Sequence, residues 1–346
     1  MPLPLWPPTP NQRLLLAAAL LPSVPALAAW RAWRTQVDIE HTHLDSGSYH
    51  LLPLAWRNLH ALAEDDPLMG RLRGIRRRTW YVNQRLLAAA SQATQTLAGA
   101  GIEALLLDGA AVMAGYDQAP GVHMLDAVTL LVRPQQAAHS LRTLTDAGWQ
   151  PRGVAWRASD FDLASASFLV DAADQRLRVQ WHLVSHDRRR GADDSVWANA
   201  RARMIIGRPT LLPAPVDLAL ALVGNLPAHA PAAVLPRLAD LWTVLNHAHD
   251  APNEDLLHDM ACARRVEGLL AMVRGYLEGL DSGDAPPMSA EDALCAALAR
   301  PATRVNRLRL RWLLLRLSEA SAGRGGPLRA VLRFPRYWRL TVSTVL

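Results

Sequence analysis

The chain has 346 residues, 50% of them hydrophobic and 20% charged, with a formal net charge of +6. That length and apolar content can bury a large core, so one globular protein of two subdomains is the starting expectation, and disorder is excluded as the dominant state. Collagen-like and disulfide-scaffold classes are excluded as well. The two cysteines, Cys262 and Cys295, stand far apart in a spacing that matches no metal or redox motif and favour a reducing compartment.

The charge is unevenly placed. No lysine occurs, so all 37 basic residues are arginine, and with abundant alanine, leucine and proline this matches the coding bias of a GC-rich genome. Residues 300–346 hold eleven arginines against one acid, Glu319, for a charge of +10, which leaves −4 on the other 299. The basic character therefore belongs to the tail. Arg307, Arg309, Arg311 and Arg316 are read as the solvated edge of a packed helix. The other reading is an arginine-rich strap for an acidic partner or an anionic membrane surface; nucleic acid is disfavoured because no aromatic and basic module is recognisable. The leucines around Trp312 are too closely spaced for one narrow amphipathic stripe, which favours burial over a membrane surface.

Taken in chain order, residues 14–29 mimic the apolar region of a signal peptide, but Pro22 and Pro25 split them and Trp30 and Trp33 continue a helical pattern. Two short helices are expected. No run reaches the roughly 18 uninterrupted apolar residues of a membrane span, and a cytoplasmic location is expected. Apolar spacing is helical through residues 12–101. The texture then changes: strands are expected at 104–107, 127–132, 166–170 and 177–183, with a helix at 134–147 and an exposed loop at 188–194. After Leu211 the helical pattern returns, opened by Pro213 and Pro215, continuing at 235–246 and running longest at 253–280, before a linker at 281–289. The expected fold is α+β and mostly helical. It comprises an N-terminal helical region (1–100), an α/β core with a mixed sheet of about four to five strands (101–210), and a C-terminal helical region with the arginine-rich tail (211–346).

Ordered landmarks run through these elements. They are Trp30 and Trp33; Leu52, Pro53 and Leu54 followed by Asn58; Asn83; the stretch from Leu106 through Asp108, Gly109, Ala110 and Ala111; Tyr116; Met124, Leu125 and Asp126; Gly148 and Trp149; Gln180 and Trp181; and Leu238 to Leu241 with Asp240. In this order and spacing the chain resembles the uncharacterised nucleotidyltransferases of the DNA polymerase beta-like superfamily, a bacterial group with a minimal nucleotidyltransferase core framed by helices.

The resemblance implies a divalent metal pair, Mg2+, bridging the triphosphate of an NTP and stabilising charge at the α-phosphorus, with carboxylates converging from adjacent strands. An aspartate, any residue, aspartate pattern puts both carboxylates on one strand face, because side chains alternate with period two. The resemblance further implies a third acid on a neighbouring strand, a lysine before the glycine, an arginine ahead of the acidic pair, and backbone N–H groups of Gly109, Ala110 and Ala111 facing the nucleotide phosphates. Against that template the site is eroded. Asp126 stands where the first carboxylate, and any metal ligand, is expected, but the second position is Val128; the lysine position is Asp108, the arginine position Val122, and the later strand reads Arg178, Val179, Gln180, Trp181. A bias from lysine to arginine explains none of these.

The first reading is therefore a pseudoenzyme, non-catalytic or weakly active, that binds a nucleotide or a partner protein as an accessory in a bacterial pathway for modified peptides or polysaccharides. The second is an active enzyme that moves an NMP to an acceptor using Asp108 and Asp126 as catalytic acids, helped by Asp160, Asp162 or Asp171. The third is a peripheral scaffold holding an acidic or membrane surface through the tail. No nucleophile elbow or P-loop occurs; His41, His43 and His50 read as a polar interhelical loop, and His247 and His249 as residues beyond a helix end.

Overall fold

A computed structural model describes residues 8–39, 43–63, 65–117, 119–153, 156–205, 207–226, 234–281, 334, 335 and 337. The arginine-rich segment 300–346 (apart from residues 334, 335 and 337), nearly all of the 281–289 linker, Cys295 and His41 lie outside them.

Thr9 opens α1 (Pro10–Leu20) with a reciprocal cap: its hydroxyl accepts from the Gln12 N–H and the Gln12 carboxamide oxygen accepts from the Thr9 N–H, with Pro10 at the first helical position. The chain is extended at Leu21 and Pro22, then α2 (Ser23–Gln36) begins, so two short helices form as the prolines suggested. Trp30 and Trp33 stack in the core with centroids 5.1 Å apart, and the Trp30 indole N–H donates to Asp66 at 2.7 Å. In α3 (Ser46–Leu59) the Asn58 amide donates to the Ala18 and Leu21 carbonyls, which satisfies open carbonyls at the buried C-terminal end of α1. The 32-residue α4 (Leu68–Gly99) follows.

The sheet occupies the middle of the chain. Its parts, in order, are β1 (Leu105–Leu107), α5 (Asp108–Val112) running into a π-helical turn, β2 (Val128–Leu131), α6 (Ala137–Asp146), β3 (Gln150–Pro151), β4 (Ala166–Val170), β5 (Arg176–Gln180), α7 (Asp194–Ala198), β6 (Arg201–Ile205) and β7 (Arg208–Leu212). Among the described residues the sheet has seven strands in the order β3-β4-β5-β2-β1-β7-β6, more than the four to five expected. β2 runs parallel to β5 and β1 parallel to β7, while the other pairs are antiparallel. The extra strands are the two-residue β3 and the β6–β7 hairpin. The hairpin is largely exposed, contains Pro209 and carries three arginines that interrupt its short apolar stretches; β7 pairs with β1 and buries Leu212 in the core.

Then come α8 (Pro215–Gly224), α9 (Val234–Leu245), α10 (Glu254–Arg264) and α11 (Glu267–Glu278). The long helical pattern expected over 253–280 is broken at Arg265, whose φ of 58° is left-handed and ends α10. α9 packs on α1 and α3, so head and tail helices share one apolar core running from Leu15 to Leu280, while Leu105, Leu107, Leu131, Leu183, Val196 and Ala221 form a smaller cluster on the opposite sheet face. Among the described residues no helix is long and apolar enough to cross a membrane.

Buried ions fix α10 against the end of the sheet. Arg264 donates to Asp193 at 2.9 Å, to the Ala192 carbonyl at 2.7 Å and to Asp187 at 3.4 Å, and Arg189 closes a two-bond fork on Asp187. Burial pulls His182 beside them down to about 3, with Arg188 adding to the effect, so it is neutral at ordinary pH. Asp217 of α8 is 2% exposed, and its Oδ1 has no hydrogen-bond partner among the described residues. Burial pushes its carboxyl up to about 6, against the pull of Arg264.

The sign of that shift sets a pH dependence. Between the unperturbed value of 3.8 and about 6 the native state holds the Asp217 proton that the unfolded chain has lost, so this group's contribution to stability falls as pH rises and levels off above about 6. His182 acts oppositely between about 3 and 6.5, being protonated first in the unfolded chain. A comparison of Asp217→Asn with the parent cancels the histidine effect. The variant is expected to gain stability relative to the parent as pH rises from 4 to 8, by up to about 3 kcal/mol. Urea denaturation across that range checks this, and a difference independent of pH contradicts it.

Candidate functional site

The strand register brings the candidate residues into one row. Leu107 lies opposite Thr129, Thr129 opposite Arg178, and Arg178 opposite Phe168, so Thr129 and Arg178 share the sheet face that alternation denies to Val128, Leu177 and Val179. Immediately after Leu107 the backbone turns through Asp108, whose φ is 57°, an uncommon conformation for a residue with a side chain. That turn converts β1 into α5.

The Asp108 carboxylate is spoken for by cations. Its Oδ2 accepts from the Thr129 hydroxyl at 2.7 Å, from Arg237 Nη2 of α9 at 2.8 Å and from Arg178 Nη1 of β5 at 3.4 Å. All are buried, with side-chain exposures of 13% for Asp108 and 8% for each arginine. One carboxylate thus faces two guanidinium groups. Burial pulls Arg178 down to about 10, and Arg237 adds to this while Asp108 opposes it. Arg178 also stands over the Phe168 ring at 5.9 Å, and Arg237 Nη1 makes no hydrogen bond to a described residue.

Gly109 lies in a tightly packed place. A Cβ there would meet Asp240 Oδ2 at 3.0 Å and Leu125 Cδ2 at 3.1 Å, because α9 crosses directly above. Asp240, one turn after Arg237, is buried and bonded to His123 Nδ1 at 2.8 Å. Asn83 of α4 secures the loop carrying His123 and Leu125: its amide donates to the Pro120 and His123 carbonyls and its oxygen accepts from the Leu125 N–H. Ala110 and Ala111 are buried alongside Gly109.

Asp126 lies elsewhere in the pattern of contacts. It sits in the bend before β2 with 69% of its side chain exposed, and pairs with His50 Nε2 at 3.3 Å. Partial enclosure works to raise its carboxyl, but the hydrogen bond from His50 and the nearby charges of His50 and Arg176 outweigh that and hold it below the usual range. Asp108 and Asp126 therefore have separate partners. Asp171 accepts from the Ala173 and Gln175 N–H groups in a turn, and Asp160 accepts from the Arg157 N–H. His247 accepts from the Asp250 N–H just beyond α9.

Among the described residues no three His, Cys, Asp or Glu side chains converge as a metal cage. The residues present do not fit the metal pair that the resemblance implies: Val128 is buried in the core at the second carboxylate position, and the third is filled by Arg178, whose cation already holds Asp108. Arg237 was not singled out by sequence reading, because an arginine within a helix reads as a solvated one. Its spacing of three from Asp240 was the available signal.

Removing the shared acid and removing one cation have different consequences. Asp108→Asn leaves two buried guanidinium groups facing each other and is expected to cost about 3–5 kcal/mol, whereas Arg237→Met leaves a balanced Asp108–Arg178 pair and costs less. Urea denaturation of both variants reads the order, and the reverse order rules out the shared carboxylate.

No curated protein matches the chain. A family model described as an uncharacterised nucleotidyltransferase matches residues 48–274, from α3 through α11, and thus takes in the sheet, the Asp108 turn and α9. The chain belongs to this uncharacterised nucleotidyltransferase family.

Proposed function

We propose that this nucleotidyltransferase-family protein works as a pseudoenzyme, a non-catalytic or weakly active accessory of a bacterial biosynthetic pathway that binds a nucleotide or a partner protein. The observation that carries this reading is the Asp108 carboxylate held by Arg178 and Arg237 at the entrance to α5. Metal-assisted transfer draws several kcal/mol of transition-state stabilisation from the metals and needs convergent carboxylates. Here the carboxylate next to Gly109 is neutralised by cations, and Asp126 is engaged by His50 at the surface. A divalent cation approaching Asp108 would meet two like charges.

The same geometry suits an anion no better in its resting form, since Asp108 occupies the arginines that would otherwise meet a phosphate. Nucleotide binding is accordingly expected to be weak and indifferent to metal. In calorimetry with ATP, GTP, CTP and UTP, adding Mg2+ or Mn2+ is expected to change any affinity by less than about threefold, or about 0.7 kcal/mol. Metal-dependent binding that Asp126→Ala abolishes would overturn the reading in favour of an active enzyme using Asp126.

A further inference from the structure

The second concentration of charge lies in α4. Over its 32 residues the helix has six arginines, 71, 73, 76, 77, 78 and 85, and no acid. Leu72, Thr79, Asn83, Leu86, Leu87 and Ala90 are buried on one side, so the apolar stripe of α4 is used in the core. Arg73, Arg77, Arg78 and Arg85 are exposed, and among them stand three of the seven exposed large apolar side chains of the described residues: Trp80 at 51%, Tyr81 at 58% and Val82 at 38%. Arg76 is half-buried, stacked 4.6 Å from the Trp56 ring centroid, and anchors the helix to α3.

This pattern works against the isolated helix in two ways. Arg73 and Arg77 are like charges four residues apart, and Arg71 stands in the first turn, where the helix dipole disfavours a cation. Neither cost is offset within the described structure: Arg71, Arg73, Arg77 and Arg78 form no ion pair with a described residue, and Asp66, just ahead of α4, is engaged by Trp30 and Arg34. The segment 300–346, at +10, has the same sign of charge as this face.

We propose that the exposed face of α4 docks an acidic protein surface, with Trp80 and Tyr81 as anchors and Arg73, Arg77 and Arg78 as its charge-matching groups. Tryptophan, tyrosine and arginine are the side chains whose truncation costs most at protein interfaces. A membrane surface is disfavoured because an interfacial helix must offer its apolar face to lipid, and the core has that face. Single-stranded nucleic acid is disfavoured because it is bound along a basic groove with stacking platforms, whereas this face is the convex side of one helix. The face does not involve Asp108, so the proposal is independent of whether the family site is active.

The test uses the full chain at physiological salt with three probes: poly-L-glutamate, an oligothymidylate of matched charge, and vesicles of phosphatidylserine and phosphatidylcholine. Poly-L-glutamate is expected to bind most tightly. The triple variant Arg73→Glu, Arg77→Glu, Arg78→Glu is expected to weaken it at least about tenfold, while Arg329→Gln with Arg333→Gln in the tail weakens it less than about threefold. Trp80→Ala with Tyr81→Ala, which changes no charge, is expected to weaken binding at least about threefold with an unchanged salt dependence. Unchanged affinity in both α4 variants, or tighter binding of the oligothymidylate or the vesicles, overturns the proposal. Thermal melts of the variants confirm that the fold is intact, since the substituted side chains are exposed.

Discussion

The middle of this molecule is organised by one oxygen atom. Oδ2 of Asp108 receives the Thr129 hydroxyl, the Arg237 guanidinium and, at longer range, the Arg178 guanidinium, which come from β2, α9 and β5. Burying two cations and one anion costs several kcal/mol per ion, and the attraction offsets this only where the hydrogen bonds are well made. The arrangement therefore constrains everything that touches it. Asp108 must adopt its left-handed turn to place the carboxylate over the sheet face, α9 must lie close enough for Arg237 to reach, and that approach makes a side chain at Gly109 a tight fit against Asp240 and Leu125.

The resemblance led to a lysine at 108 and an acid on β5, and the structure holds an acid and an arginine at those places, in contact. Each departure alone reads as loss of a catalytic group. Together they place an acid at the end of β1 and a cation on β5, two strands separated by β2, which keeps an attraction between the two positions with the charges reversed. Other landmarks kept by the chain do structural work that is indifferent to catalysis: Asn58 closes the end of α1, Asn83 holds the 120–125 loop by three hydrogen bonds, and Asp240 secures His123. Leaving any of these buried partners unsatisfied costs about 1–3 kcal/mol, so a frame can be retained while its metal chemistry is not.

What was legible in the sequence follows the same division. β4 matches its expected limits, 166–170, because a five-residue run followed by the polar turn 171–175 is too short for a helix, and the two N-terminal helices followed from Pro22 and Pro25. The β6–β7 hairpin was illegible because arginines and Pro209 interrupt its short apolar stretches, so neither strand shows a regular alternation even though Leu212 reaches the core. The break at Arg265 was illegible because the left-handed region there is occupied by an arginine where glycine would have signalled it. In the site, Asp108, Gly109 and Arg178 were named from the pattern, but that they share a partner depends on the register of β1, β2 and β5. Arg237 and Arg264 were missed because a chain with 37 arginines hides the few that are buried.

A compositional bias toward arginine does not by itself explain where those few lie. A lysine ammonium is a compact, strongly hydrated point charge, whereas a guanidinium presents a planar fork, is more weakly hydrated and keeps its proton even when burial pulls its pKa down, as it does for Arg178. Three features use that difference. Arg264 spans Asp193, Asp187 and a backbone carbonyl, Arg189 grips Asp187 with two parallel bonds, and Arg178 and Arg237 converge on one carboxylate oxygen while Arg178 also lies over an aromatic ring. A single ammonium in the place of Arg264 could not reach two carboxylates and a carbonyl in separate directions without bringing water into the core. The arginines of α4 are the opposite case. Arg73, Arg77 and Arg78 face solvent without an ion pair to a described residue, where a flexible, fully hydrated cation has little to gain from the planar fork.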